Sequence, residues 1–316
     1  MFNQQLFEQH LKTQVKENMP RDLVEPVNDI LFRGGKRWRP RLMLLSYKIF
    51  GGKEDISSFL PIVEIIHNGT LIIDDIEDGS ELRRGEKCIH KKHGIDTAIN
   101  TGNLMYFLPY KIIEKGTIPE SKKMHLSSVI CDEMLQIHIG QGLDIQWHNS
   151  HKKIPAEKEY FEMCSKKTGA LARMATKLAG VLAEAKQNQI QALSEFAESL
   201  SVAFQIQDDV LNLTSKNLGK EFCEDIAEGK KSLVMIHAIN NSNKKDGEKL
   251  LQILSMKNSQ KAEEALSIIK KSNSINYAVE KCRKMTKCAI KKLCNDLPES
   301  EARQQLLELS NAMIKV

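Results

Sequence analysis

The sequence predicts an all-α protein: a single large helical bundle with a central cavity. Three observations carry that prediction. Apolar residues recur at intervals of three and four along five long runs, 59–76, 98–113, 124–147, 160–185 and 190–213. The breaks between runs are short and fall where Gly, Pro or Asn cluster. The chain offers little of the strict alternation bounded by hairpin turns that strands require. Long helices joined by short connections form bundles whose cores can hold a site.

The elements follow in order. Gly34-Gly35 and Gly51-Gly52 interrupt the N-terminal part, and the run 59–76 comes next. The run 98–113 contains Pro109, read as a kink. Lys115 to Pro119 separates it from 124–147, and 148–155 separates that from 160–185. The run 190–213 precedes breaks at 217–219 and 240–247. The segment 277–294 carries Lys281, Arg283, Lys284, Lys287, Lys291 and Lys292 around a modest apolar stripe. It reads as a solvated helix face, with a membrane surface as the alternative. No low-complexity linker divides the chain, so residues 1–316 are expected to form one domain.

Composition narrows the class. A hydrophobic share of 41% supports a sizeable core, and 46 Lys+Arg against 41 Asp+Glu leave a net charge of +5, too mild to imply nucleic acid. Seven cysteines without a CxxC pair match neither a disulfide scaffold nor a zinc site. The first twenty residues are polar and contain acids, unlike a targeting peptide, and no apolar stretch reaches membrane-spanning length. A soluble cytoplasmic protein without a transmembrane segment is expected.

Two acidic clusters inside apolar helical runs are the most informative feature. In Asp74-Asp75-Ile76-Glu77-Asp78, Asp74 and Asp78 share a helix face; in Gln207-Asp208-Asp209-Val210-Leu211-Asn212, Asp208 and Asn212 do. Like charges in apolar surroundings persist only with partners or metal, and hard carboxylate oxygens suit Mg²⁺ bridging to a phosphate. Basic groups accompany them: Lys36 and Arg39 in the run from Gly34 to Arg41, and Arg83-Arg84-Gly85 beyond the first cluster. Guanidinium forks beside carboxylates suit phosphate oxygens. His67 lies two turns before Asp74 on nearly the same face.

At this point the chain resembles the trans-isoprenyl diphosphate synthases, the polyprenyl synthetase family. Five segments fall in that family's order: GGKRWRPRL, the first aspartate motif with Arg83-Arg84-Gly85, the Lys167-Thr168-Gly169 turn, FQIQDDVLNL, and Gly219-Lys220 through Asp225 to Gly229-Lys230. The resemblance implies the isoprenoid-synthase type of bundle and a homodimer. It implies that Asp74, Asp75, Asp78, Asp208 and Asp209 hold Mg²⁺, three ions per active site, on an allylic diphosphate. Arg83, Lys167 and Lys230 would bind that diphosphate, with Thr168, Gln205 and Lys220 close by. Lys36, Arg39, His67 and Arg84 would bind the diphosphate of isopentenyl diphosphate, and Asp225 would support a metal-bound water.

The implied reaction is head-to-tail condensation, in which metals and cations stabilise the departing diphosphate and a dry pocket protects the allylic cation. Asn212 stands where many relatives carry Asp, which makes it a doubtful ligand. That substitution and the segment 140–147 resemble eukaryotic-type geranylgeranyl diphosphate synthases. Gly69 and Thr70 occupy positions where farnesyl-producing relatives carry aromatics, leaving room for a longer tail. Tyr106, Phe107 and His138 match a floor that favours a C20 product, against the plain reading of core or interface residues. Farnesyl or longer-chain synthesis, or a non-catalytic regulatory subunit, is the alternative. A terpene cyclase would need Ser or Thr at position 212 and Glu at 216, where Asn and Lys stand.

Overall fold

The computed structural model describes residues 2–150, 154–215, 223–256 and 259–314. It is built from helices, with one two-stranded hairpin among the described residues. The chain divides into two compact units, one comprising 1–133, 171–194 and 299–306, the other 134–170, 195–298 and 307–316.

The first unit opens with α1 (Gln4–Asn18), capped by the Asn3 side chain, which accepts the Leu6 N–H at 3.1 Å. Then come α2 (Val24–Phe32), α3 (Trp38–Ile49) and α4 (Pro61–Glu77). Pro61 suits the first turn of α4, where its missing N–H costs no helical bond. Ile62, Ile65, Ile66 and Ile72 bury one face of this helix completely. The strands β1 (Leu82–Arg83) and β2 (Glu86–Lys87) pair antiparallel, Leu82 opposite Lys87. Beyond them lie α5 (Ile89–His93) and α6 (Ile95–Lys115), the latter continuous through Pro109.

Helices α4 and α6 cross closely because glycine stands on both. A Cβ on Gly69 would lie 3.0 Å from Met105 Cβ and 3.2 Å from Gly102 O; one on Gly102 would lie 2.7 Å from Ile73 Cδ1. Gly69 therefore lets two backbones approach, rather than leaving open space as the sequence suggested.

Helix α7 (Glu120–Asn149) begins in the first unit and ends in the second. In the first, the buried carboxylate of Glu133 accepts from Arg173 at 2.9 Å and Lys177 at 2.6 Å, two residues of α9 (Ala170–Ala183). In the second, α8 (Glu157–Cys164) runs into a π-helical turn, Ser165–Gly169. The run 160–185 is thus two helices joined by a π turn, and residues 167–169 are not the open turn expected. A Cβ on Gly140 of α7 would stand 2.3 Å from the Lys167 backbone nitrogen, so glycine is what admits the π turn there.

The second unit also holds the C-terminal part of α10 (Gln187–Thr214), then α11 (Glu224–Glu228), α12 (Leu233–Asn241), α13 (Lys244–Met256), α14 (Ala262–Lys271) and α15 (Ser274–Asp296). The end of α16 (Glu301–Met313) completes it. Tyr160, Ile206, Ile226, Leu233, Leu250 and Ile269 belong to its buried core. Among the described residues no helix is long and apolar enough to cross a membrane.

Candidate active site

In the first unit the chain leaves α2 through Gly34 (φ +87°) and Gly35 (φ +129°) and enters α3 at Arg37, itself left-handed with φ +48°. A left-handed non-glycine residue costs about 1–2 kcal/mol, so something must hold it. The buried Arg37 guanidinium does, donating to Glu64 Oε1 at 2.7 Å, Glu8 Oε1 at 2.9 Å and Leu31 O at 2.5 Å. Lys36 and Arg39 flank this anchor, and the Arg39 guanidinium lies 4.6 Å from the centre of the Trp38 ring.

The hairpin supplies the other basic groups. Arg84 and Gly85 form its two-residue turn, both with positive φ, at +56° and +81°. Arg84 Nη1 donates to Gly34 O at 2.6 Å, tying the hairpin to the glycine loop. Arg83 Nε donates to Asp75 Oδ1 at 2.7 Å, and Arg83 Nη2 lies 3.7 Å from Asp74 Oδ2. Burial opposes the Arg83 charge, but Asp75 and Asp74 keep it firmly protonated. Burial also pushes the Asp75 carboxyl up, against the pull of Arg83.

His67 sits on α4 with Nδ1 buried and without a hydrogen-bond partner among the described residues. Burial, then the charges of Arg39, Arg84, Arg83 and Arg37, hold its pKa well below the ordinary value. Arg84 is likewise lowered by burial and, beyond the help of Glu64, by Arg37, Arg83 and Arg33. The arginine charges that reach His67 define a field suited to a polyanion.

In the second unit, Asp208 is exposed and Asp209 buried. Burial, then the charge of Asp225, pushes Asp209 up to about 7, against hydrogen bonds from Gln205 and Tyr160. Gln205 Nε2 donates to Asp209 Oδ1 at 2.9 Å and Tyr160 to Oδ2 at 2.7 Å. Thr168 donates to Gln205 Oε1 at 3.1 Å, extending the chain of bonds into the π turn. Lys167 Nζ reaches Asp144 Oδ2 at 2.6 Å, and Lys230 Nζ lies 2.6 Å from Glu228 and 3.8 Å from Asp225. The buried Asn212 accepts the Asp225 N–H on Oδ1 at 3.3 Å and the Cys223 N–H on its backbone carbonyl at 3.2 Å. Its amide thus positions the start of α11. Lys220 lies outside the described residues.

The donor set fits a divalent cation. Aspartate oxygens are hard ligands, and a cation beside Asp208, Asp209 and Asp225 would relieve the repulsion that raises Asp209. Among the described residues no three His, Cys, Asp or Glu side chains already converge in metal-ligand geometry.

Of the residues assigned to chain length, Gly69, Thr70, Tyr106 and Phe107 lie in the first unit and His138 in the second. Thr70 turns its hydroxyl to His67 O at 2.8 Å. Tyr106 is half-buried, its Cε1 3.2 Å from a Cβ built on Gly69. Burial, then the charges of Glu77 and Asp74, raises its phenol. Phe107 is 69% exposed, and His138 is exposed, Nδ1 2.8 Å from Met134 O. Phe107 does not close a floor within its own unit, because the α6 periodicity turns it outward beside the inward Met105 and Leu108.

Sequence reasoning missed Arg37, Glu64, Tyr160 and the pairing of Asp144 with Lys167. Glu64 carried a usable signal, an acid inside an apolar run as Asp74 is. Tyr160 carried none beyond its place at the head of a run.

The sequence profile of the polyprenyl synthetases matches residues 20–272. A short chain isoprenyl diphosphate synthase of Methanocaldococcus jannaschii is 36% identical over 87% of this chain and 83% of its own. A geranylgeranyl pyrophosphate synthase of Dictyostelium discoideum is 35% identical over 92% of this chain and 94% of its own. The crystal structure of the geranylgeranyl pyrophosphate synthetase from Pyrococcus horikoshii superposes with a TM-score of 0.88 at 34% identity, covering 99% of this chain and 95% of that one. With an all-α fold and the aspartate and arginine clusters described above, the chain belongs to the polyprenyl synthetase family.

Proposed function

We propose that this chain is a trans-prenyltransferase that condenses isopentenyl diphosphate head to tail with allylic diphosphates, using magnesium, and stops at geranylgeranyl diphosphate. The names of its relatives in archaea and a eukaryote support the reaction class and the C20 product. The observation that carries the reading is the basic cluster of Arg39, Arg83 and Arg84 whose charges reach His67, with Arg84 tied to the glycine loop at Gly34 O. A cyclase handles one diphosphate and leaves such a field without purpose; a condensing enzyme must hold a second.

Asp74, Asp75 and Asp78, with Asp208 and Asp209, would hold three magnesium ions. Bound magnesium supplies electrophilic assistance to departure of the allylic diphosphate. Arg83, Lys167 and Lys230 bind that diphosphate and stabilise the charge it gains as the C–O bond breaks. Thr168 and Gln205 orient its neighbourhood, and Lys220 adds a further cation. Lys36, Arg39, His67 and Arg84 hold isopentenyl diphosphate so that its double bond meets the allylic cation. The departing diphosphate accepts the proton then lost.

The reading extends to a cytoplasmic homodimer acting as one catalytic domain. Seven cysteines, none in a disulfide among the described residues, support the compartment. The large exposed apolar side chains of α6, Ile95, Ile99 and Phe107, support a partner chain. Such a partner would cover Phe107, and Tyr106, Phe107 and His138 could then share in setting product length.

The test is product analysis of purified chain with Mg²⁺, isopentenyl diphosphate and C5, C10 or C15 allylic starter in turn. A single C20 diphosphate is expected. A C15 or longer product would keep the transfer and overturn the chain-length reading, and no elongation by folded protein would favour a regulatory subunit.

A further inference from the structure

We infer that Arg37, Glu64 and Glu8 form a positioning triad that sets the site for the second diphosphate, touching no substrate themselves. The inference rests on the reading that the cluster around His67 holds isopentenyl diphosphate.

All three guanidinium nitrogens of Arg37 are spent inside the protein, on Glu8 at 2.9 Å, on Glu64 at 2.7 Å and on Leu31 O at 2.5 Å. The side chains of Arg37 and Glu64 are 1% and 3% exposed, so the pair is sealed from water. Glu64 takes a second donor, Asn68 Nδ2 at 3.1 Å, beside His67 on α4. One carboxylate, on the helix that carries His67, therefore ties that helix to the glycine loop with Lys36 and to the start of α3 with Arg39. Glu8 fastens the same guanidinium to α1 from a partly exposed position, 25% exposed. The left-handed backbone at Arg37 is what needs holding, because a relaxed φ there would swing the entry to α3 and both flanking cations.

A buried carboxylate among arginines also has an electrostatic part. Glu64 supports the charge of Arg84, which the neighbouring arginines oppose. The triad thus keeps the cations of the site assembled before a polyanion arrives. Such preorganisation lowers the ordering cost of binding and is felt in affinity for one substrate only.

The test compares wild type with Glu8→Gln, Glu64→Gln and Arg37→Lys. KM is measured for isopentenyl diphosphate and for the allylic diphosphate, and calorimetry follows direct binding of isopentenyl diphosphate without metal. The expected result is a rise of about tenfold or more in KM and Kd for isopentenyl diphosphate with Glu64→Gln and Arg37→Lys, and about threefold with Glu8→Gln. The allylic KM and kcat should stay within about twofold, and the Arg37→Lys/Glu64→Gln double variant should be no worse than the poorer single one. If the buried substitutions unfold the chain, the partly exposed Glu8→Gln carries the test. Folded variants with unchanged isopentenyl affinity, or with equal losses for both substrates, overturn the triad. A wild type that binds isopentenyl diphosphate with this dependence yet condenses nothing upholds the triad and sinks the condensation reading.

Discussion

Tyr160 donates its hydroxyl hydrogen to Asp209 Oδ2 at 2.7 Å, across the buried core of the second unit. With Gln205 on Oδ1, both oxygens of this carboxylate are oriented by protein donors. The donors also oppose the burial and the Asp225 charge that raise Asp209 to about 7. Tyr160→Phe removes one donor while keeping the ring. The Mg²⁺ concentration for half-maximal activity should rise about tenfold, the size typical of losing a partner that orients a metal ligand. Titration of activity against Mg²⁺ checks this, and an unchanged midpoint would show that Asp209 holds its orientation unaided.

Gly140 admits the π turn that carries Lys167. An alanine Cβ there would press on the Lys167 backbone nitrogen at 2.3 Å, and backbone cannot swing aside as a side-chain tip can. Gly140→Ala should cost about 1–3 kcal/mol or more of stability from overpacking. It should also raise the allylic KM by displacing Lys167. Gly142, with nothing within 4 Å of a built Cβ, is the control, and Gly142→Ala should gain about 0.5–1 kcal/mol in urea unfolding from helix propensity.

Tyr106 lies against Gly69 while Phe107 points outward. Tyr106→Ala should lengthen the product, as read by chromatography of the dephosphorylated alcohols. Phe107→Ala should do so only in an assembled dimer, which light scattering of the same sample reports. Product length unchanged in the double variant would remove both residues from the floor.

Asp29 gathers Arg33, Lys92 and His93, each at 2.8 Å. Burial opposes its charge, but hydrogen bonds from those three side chains hold the carboxyl well below the usual range. Its folded pKa is thus below the unfolded value of about 3.9. The stability it contributes is complete above that value and lost as pH falls beneath it. Melting temperatures between about pH 5 and pH 2 should drop steeply in wild type and less steeply in Asp29→Asn.

Helical periodicity made most of the fold readable: the run 59–76 lies on α4 and 190–213 on α10, each displaced by a residue or three. The misses are non-local. The π turn at Lys167 depends on Gly140, on another helix, and no local pattern announces it. The β1–β2 hairpin has two residues per strand, too few for alternation to register. Both aspartate motifs stood out because burying like charges is costly. Arg37 did not, because a basic residue in a glycine loop reads as solvated until Glu8 and Glu64 are seen to enclose it.

The Gly69–Gly102 crossing has a consequence for how such an enzyme can diversify. A helix is a stiff rod, and Asp74 lies little more than one turn beyond Gly69, about 7.5 Å along the axis. Any bulk added at the crossing to shorten the product must push α4, and the push arrives at the aspartates nearly undiminished. Product length and metal affinity are therefore geared together at this point. Variants selected for a shorter product through Gly69 should arise alongside compensating changes on α6, at Met105 or Tyr106, that let the rod return to its seat.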